Sequence, residues 1–192
     1  MSQHFVFLTE TGDMYKSEWV QRYIQHDNDV KRWANDLIDN KREIDQIILR
    51  GDGYILLPDT RQKSNESLNW LAFMTNPELR CIRDLRICHV KLLTKMHEEC
   101  IKKILQTKKD CTANDVVCYA HYPPGVYRLH FHFRIPVSGS SAYELFRIHP
   151  IENILSNLSK NKNYYEKCEL RIPIYENGNL FKALKSATLE NS

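Results

Sequence analysis

The run Tyr127 to Arg134 places two histidines among two arginines at a spacing that could do chemistry on phosphates. Read with the two-residue period of a β-strand, Leu129, Phe131 and Phe133 point to one face, and Arg128, His130, His132 and Arg134 to the other. The first set is core; the second is a row of guanidiniums and imidazoles. Imidazoles between guanidiniums repel them once protonated, so His130 and His132 are expected to be neutral at about pH 7, free to act as nucleophile or hydrogen-bond partner. A phosphate chain fits such a row. Arginine offers forked donors to phosphate oxygens, and a neutral imidazole nitrogen can attack phosphorus, splitting one hard displacement into two easier ones.

Two blander readings stand beside this one. A His-x-His pair on a strand is also a metal-site pattern, but a metal needs further ligands, and two adjacent arginines oppose a dication. The reading therefore expects no metal and no other cofactor. The strand could also be a plain solvated polar face, and its residues alone do not decide between that and a site.

The elements that must position the strand are legible from periodicity. Val116–Tyr122 and Val126–Arg134 flank Pro123, Pro124 and Gly125, which only a turn accommodates, so they are expected to pair antiparallel. Upstream, Ile44–Leu49 and Tyr54–Leu57 read as a hairpin around Gly51, Asp52 and Gly53, and Leu68–Met74 as a further strand. Helical spacing marks Asp29–Glu43, with Asn28 or Asp29 as cap and Val30, Trp33, Ala34, Leu37 and Ile38 on one stripe. It also marks His89–Leu105, Tyr143–Leu158 and Leu180–Ser186, with a last strand near Cys168–Ile174. The order is that of an α+β fold, an antiparallel sheet with helices packed on one face.

Composition bounds the rest. The 192 residues suffice for one domain, and 27 basic against 24 acidic side chains leave only +3, too little for a long nucleic-acid footprint but compatible with a small anionic ligand. The six cysteines contain no C-x-x-C pair and are expected to be buried, reduced thiols. The segment MSQHFVFLTETGD lacks a basic start and an apolar signal core, and no apolar run reaches membrane-spanning length. A cytoplasmic or nuclear location with no membrane partner is the expectation.

The stretch YAHYPPGVYRLHFHFRIP resembles the histidine-triad segment of scavenger mRNA-decapping enzymes, members of the histidine-triad superfamily. The resemblance continues through ETGDMY, RWANDLIDNKREID, GYILLPDTR and IRDLR, and so covers most of the chain. It implies a histidine-triad fold in which His130 is the nucleophile, His132 the last histidine of the triad and His121 the histidine of the lead-in. It further implies that Trp33 stacks on the cap base, that Glu43 accepts hydrogen bonds from its edge, and that Asp59 and Arg61 contact ribose and phosphate. Arg147 falls on a basic position after the triad. The chain departs from the pattern at Arg128, where the first triad histidine belongs, at Gly125 and Val126, where the family places serine and tyrosine, and at Arg61, where it places lysine. By the same resemblance residues 1–27 match the hinge region and residues 28–192 the histidine-triad domain. The family's N-terminal lid domain is then expected to be missing, and the chain to form a homodimer.

Chemistry agrees with the assignment at the base: 7-methylguanine is a cationic π-system that an indole face attracts, and a carboxylate suits its N–H edge. By residue type alone, without the resemblance, Trp33 reads first as a core residue of its helix and Glu43 as a solvated charge. The function expected is hydrolysis of the triphosphate bridge of 7-methylguanosine cap dinucleotides or short capped RNA, releasing 7-methylguanosine monophosphate. The chief rival is a cap-binding or regulatory protein in which Arg128 marks weakened or lost catalysis. A second is a general dinucleotide or nucleotidyl-lysine hydrolase, for which Trp33 and Glu43 would be irrelevant.

Overall fold

Continuous apolar runs such as Tyr54–Leu57 and Leu68–Met74 can be buried on both faces. In the computed structural model, which describes residues 4–39, 46–59, 68–135 and 142–190, they lie side by side inside a sheet. The chain runs β1 (Phe5–Glu10), α1 (Gly12–Lys16), α2 (Glu18–Val30), α3 (Trp33–Ile38), β2 (Leu49–Gly51), β3 (Tyr54–Pro58), β4 (Asn69–Met74) and α4 (Val90–Thr107). There follow β5 (Val117–His121), β6 (His130–Arg134), α5 (Ala142–Leu145), β7 (Ile148–Pro150), α6 (Ile151–Lys160), α7 (Tyr164–Lys167), β8 (Leu170–Tyr175) and α8 (Asn179–Glu190). Six strands form one antiparallel sheet in the order β2-β3-β4-β6-β5-β7, and β1 pairs with β8 in a separate two-stranded sheet. The expected α+β architecture is the observed one, except that helices pack on both faces of the large sheet and not on one alone. No helix among the described residues is long and apolar enough to cross a membrane.

One face of the large sheet, with Tyr54, Leu56, Ala72, Phe131 and Phe133, packs on the buried stripe Leu93, Met96, Cys100 and Ile104 of α4 and on Ile151, Ile154 and Leu158 of α6. On the opposite face Ile55, Leu57, Leu71 and Phe73 meet Ala34, Leu37 and Ile38 of α3. The hairpin turn between β2 and β3 needs a left-handed residue, and Gly53 supplies it at φ 89°.

Several elements differ from the periodic reading. The helix expected from Asp29 is split between two: α2 (Glu18–Val30), with Ser17 before it capping the Val20 N–H and Lys31 closing it, and α3, which starts at Trp33. Val30, placed on the apolar stripe by spacing, is exposed, because the break at Lys31 rotates α2 and α3 apart. Ile44 lies outside the described residues, and the strand it was to begin pairs only over Leu49–Gly51. The helix expected over Tyr143–Leu158 is interrupted by β7, because Pro150 has no N–H to donate and disfavours helical backbone before it; β7 instead pairs with β5. Cys88 is exposed, not buried, and Cys111 and Cys168 are half-buried.

A buried ion pair ties distant segments together. The Arg83 and Glu10 side chains are 0% and 2% exposed, with Arg83 Nη2 3.4 Å from Glu10 Oε2. Arg83 also donates to the carbonyls of Glu10 (2.7 Å), Tyr165 (3.0 Å) and Cys168 (2.6 Å), and Tyr122 Oη donates to Glu10 Oε2 at 2.6 Å. Burial raises the Glu10 pKa above the usual carboxylate range, with Arg83 and the Tyr122 hydrogen bond opposing it.

Candidate active site

The pairing register decides what surrounds the histidines. Phe73 of β4 lies opposite His130, while Leu71 and Tyr119 lie opposite His132 on its two neighbours. Side chains directly opposite share a face. The His130 ring accordingly stacks on Phe73 (centroids 4.8 Å, 26°) and the His132 ring on Tyr119 (5.1 Å, 8°). The row is therefore walled by aromatics and mostly buried, with His130 and His132 at 7% and 8% exposure, which the strand's own alternation could not reveal. The two imidazoles are 5.2 Å apart, and His121, at the end of β5, lies 4.5 Å from His132.

Each histidine is held differently. His130 Nδ1 is 2.7 Å from the Arg128 carbonyl oxygen. A carbonyl can only accept, so Nδ1 carries the proton and Nε2 keeps its lone pair. His132 Nε2 is buried with no hydrogen-bond partner among the described residues. Burial, reinforced by His130, His121 and the nearby arginines, lowers the His132 pKa well below the usual range and keeps it neutral. His121 is also lowered by burial, against the pull of Glu144, whose carboxylate is 3.1 Å from His121 Nε2.

Glu144 is a site residue that the sequence reading missed. It also meets Arg147 Nη1 at 3.3 Å, and these neighbours hold its pKa below the usual value. Arg147 donates through Nε and Nη2 to the Pro123 carbonyl (3.0 and 2.8 Å), fixing the turn between β5 and β6. A carboxylate in an apparently helical run carries no signal; the β7 interruption brings it back over His121. Phe73 and Tyr119 were missed for a related reason, since only register assigns them.

The strand expected from Val126 begins only at His130, so Arg128 lies before β6, where its guanidinium donates to the Thr75 carbonyl (3.2 Å) and its Nε has no partner among the described residues. It lines a cleft of about 350 Å3 with Arg32, Asp36 and Asp39 beside α3. Burial lowers its pKa and the Asp39 charge opposes this. Trp33 is half-buried, edge-on to Phe73 at 6.2 Å, so the indole stands one strand from the nucleophile candidate. Asp59 is buried just after β3, where its N–H donates to the Asn69 carbonyl at 2.8 Å. Glu43 and Arg61 lie outside the described residues. Among the described residues no three His, Cys, Asp or Glu side chains are grouped to hold a metal ion.

Over 97% of its length this chain is 26% identical to the m7GpppX diphosphatase of Sus scrofa, of which it covers 57%. It is 27% identical to the m7GpppX diphosphatase of Ascaris suum, over 91% of this chain and 60% of that protein. The chain thus spans less than two thirds of the length of these curated relatives. The solved aprataxin ortholog Hnt3 from Schizosaccharomyces pombe overlays with a TM-score of 0.43 at 17% identity, over 81% of this chain and 89% of that one. Residues 32–144, more than half of the chain and including both histidines of β6, match the family model described as scavenger mRNA decapping enzyme C-term binding, and the chain belongs to that family.

Proposed function

We propose that this chain hydrolyses the triphosphate bridge of 7-methylguanosine cap dinucleotides or short capped RNA at the phosphate next to 7-methylguanosine. The observation that carries the reading is the Arg128 carbonyl on His130 Nδ1, because it fixes the one tautomer whose Nε2 lone pair can attack phosphorus. Attack forms an Nε2–P bond and breaks the bond to the bridging oxygen, which leaves on the nucleoside diphosphate or short RNA. Water then cleaves the Nε2–P bond, yielding 7-methylguanosine monophosphate and restoring the imidazole.

Placement supports the roles proposed for the described residues, and the family resemblance those of Glu43 and Arg61. His132, neutral and with an unsatisfied buried Nε2, suits a donor to a phosphoryl oxygen, the kind of preorganised partner that stabilises charge shifting in a transfer. His121, beside Glu144, is suited to hold or pass a proton to the leaving oxygen. Trp33 is the proposed platform for the methylated base and Asp59 a ribose contact; Glu43 and Arg61 complete the proposed set for base edge and phosphate. A homodimer is part of the same reading.

The rival of a cap-binding protein rests on one observation, that Arg128 replaces the first triad histidine and is tied to Thr75. Incubation with a methylated cap dinucleotide, enzyme in excess, separates the two. The wild type is expected to release 7-methylguanosine monophosphate, and His130→Asn to release none while binding the ligand within a few-fold. Binding without product from the wild type gives the rival its place.

A further inference from the structure

His121 is held from outside its own strand. In the ladder it lies opposite Ile148 of β7, and the Tyr122 N–H beyond it donates to the Arg147 carbonyl at 2.8 Å, so the residues entering β7 are fixed beside the imidazole. Glu144 lies in α5, three residues before Arg147, and the two side chains meet at 3.3 Å. Arg147 also donates through Nε and Nη2 to the Pro123 carbonyl, so its fork is committed to the turn and to the carboxylate. Glu144 Oε2 stands 3.1 Å from the buried His121 Nε2. The approach is oblique, and catalytic hydrogen bonds commonly align only when substrate is bound.

The other charges around His121 oppose a proton on it. On β6 it faces His132, 4.5 Å away between ring centres, and Arg134; Tyr119 of its own strand is edge-on at 5.1 Å, and Arg147 and His149 of β7 lie near. Burial disfavours the imidazolium and both arginines add to this, while the Glu144 carboxylate favours it. A carboxylate can only accept, so Glu144 holds a proton on Nε2 and leaves the other ring nitrogen, Nδ1, to exchange a proton with a reacting group. Carboxylate, imidazole and reacting atom in sequence are how a histidine is oriented and charged for acid–base work. His121 stands in the same row as the nucleophile candidate, one ring beyond His132.

We propose that Glu144, held by Arg147, is the positioning residue that makes His121 the proton donor to the leaving oxygen. This rests on the hydrolase reading, and the test separates the two. As His130 Nε2 bonds to phosphorus and the bond to the bridging oxygen breaks, the electron pair stays on that oxygen, which takes the Nδ1 proton of the His121 imidazolium. His121 is left neutral with its Nε2 proton toward Glu144, and the water that later cleaves the Nε2–P bond returns a proton to Nδ1.

Release of the leaving group is followed in single turnovers across pH for wild type and Glu144→Gln on two substrates. One is a methylated cap dinucleotide; the other is the dinitrophenyl ester of 7-methylguanosine monophosphate, whose leaving oxygen is too weak a base to need a proton. Above the His121 pKa the donor fraction falls with any drop in that pKa. Glu144→Gln is therefore expected to slow dinucleotide cleavage about three- to tenfold near pH 7, and to move the alkaline limb of its profile down by about 0.5–1 pH unit. Release from the dinitrophenyl ester is expected to change less than about twofold. Equal slowing on both substrates, or on neither, overturns the Glu144 role and leaves the hydrolase reading standing. A wild type that cleaves neither overturns both. The Glu144 side chain is 42% exposed, so the variant is expected to fold. Should it not, nitrogen NMR of labelled imidazoles in the wild type decides: a proton on Nε2 of neutral His121 supports the proposal, and one on Nδ1 refutes it.

Discussion

Replacing Arg83 by methionine keeps much of the side-chain volume and removes the charge that balances Glu10. The pair is almost fully buried and Arg83 donates to three backbone carbonyls, so the variant leaves a carboxylate and three acceptors without their partner. Breaking one side of a buried pair costs about 3–5 kcal/mol, and at about 2–4 °C per kcal/mol for a chain of this size the midpoint falls by roughly 6–20 °C. Changing Glu10 to glutamine in the same protein removes the uncompensated charge while an amide can still accept from Tyr122. The double variant is expected to recover about half of the loss. The pH dependence has a defined sign. Burial already raises the Glu10 pKa, and without Arg83 it rises further. Above about pH 4.5 the folded variant then holds a proton that the unfolded chain has released, so its deficit against wild type widens as pH rises toward the folded pKa. Thermal melts of wild type, single and double variants at several pH values check this. A single variant within about 2 °C of wild type, or a double variant no more stable than the single, refutes the account of Arg83 as the counter-charge of Glu10.

Trp33→Ala is expected to weaken methylated-cap binding by about 1–3 kcal/mol with the melting midpoint nearly unchanged, since the indole is only half-buried; a collapsed transition in calorimetry assigns Trp33 to the core. Arg128→His is expected to raise single-turnover cleavage without much change in binding, because it frees Thr75 and restores the shorter side chain; an unchanged or slower rate contradicts this. Below about pH 6.5 the unfolded chain protonates histidines that the fold keeps neutral, among them His132, His121 and His149, whose pKa falls to about 4. Their stabilising contribution is present above that pH and is lost by about 1.4 kcal/mol per histidine per pH unit as pH falls toward each folded pKa. A midpoint that stays flat from pH 7 to about pH 5 denies it.

The strand itself was legible because a period of two sorts Phe131 and Phe133 from His130 and His132 whatever else the chain does. What walls the histidines was not. Phe73 and Tyr119 reach them only through register, which is fixed by partners far away in sequence. Residues Glu18–Val30 failed to announce a helix because only Val20, Ile24 and Asp27 of α2 are buried, too thin a stripe in a polar run. Glu10 and Arg83 stood out in the motifs ETGDMY and IRDLR, yet a charge in a motif gives no hint that it is buried against its opposite. Arg128 was expected to direct its charge at the nucleophile by alternation; its guanidinium instead donates to the Thr75 carbonyl and lines the α3 cleft with Asp36 and Asp39.

The pairing of β1 with β8, Phe5 opposite Tyr175, sets the order in which a growing chain can mature. All six strands of the large sheet are made between these two partners, so that sheet can assemble on the ribosome while β1 waits with an open edge. An unpaired strand carrying Phe5 and Phe7 is a template for foreign strands until its partner is synthesised. Slow translation of the stretch after β7 is therefore expected to lengthen the time this edge stands open, and a chaperone that shields Phe5–Glu10 would act before β8 emerges, when the histidine strand is already synthesised.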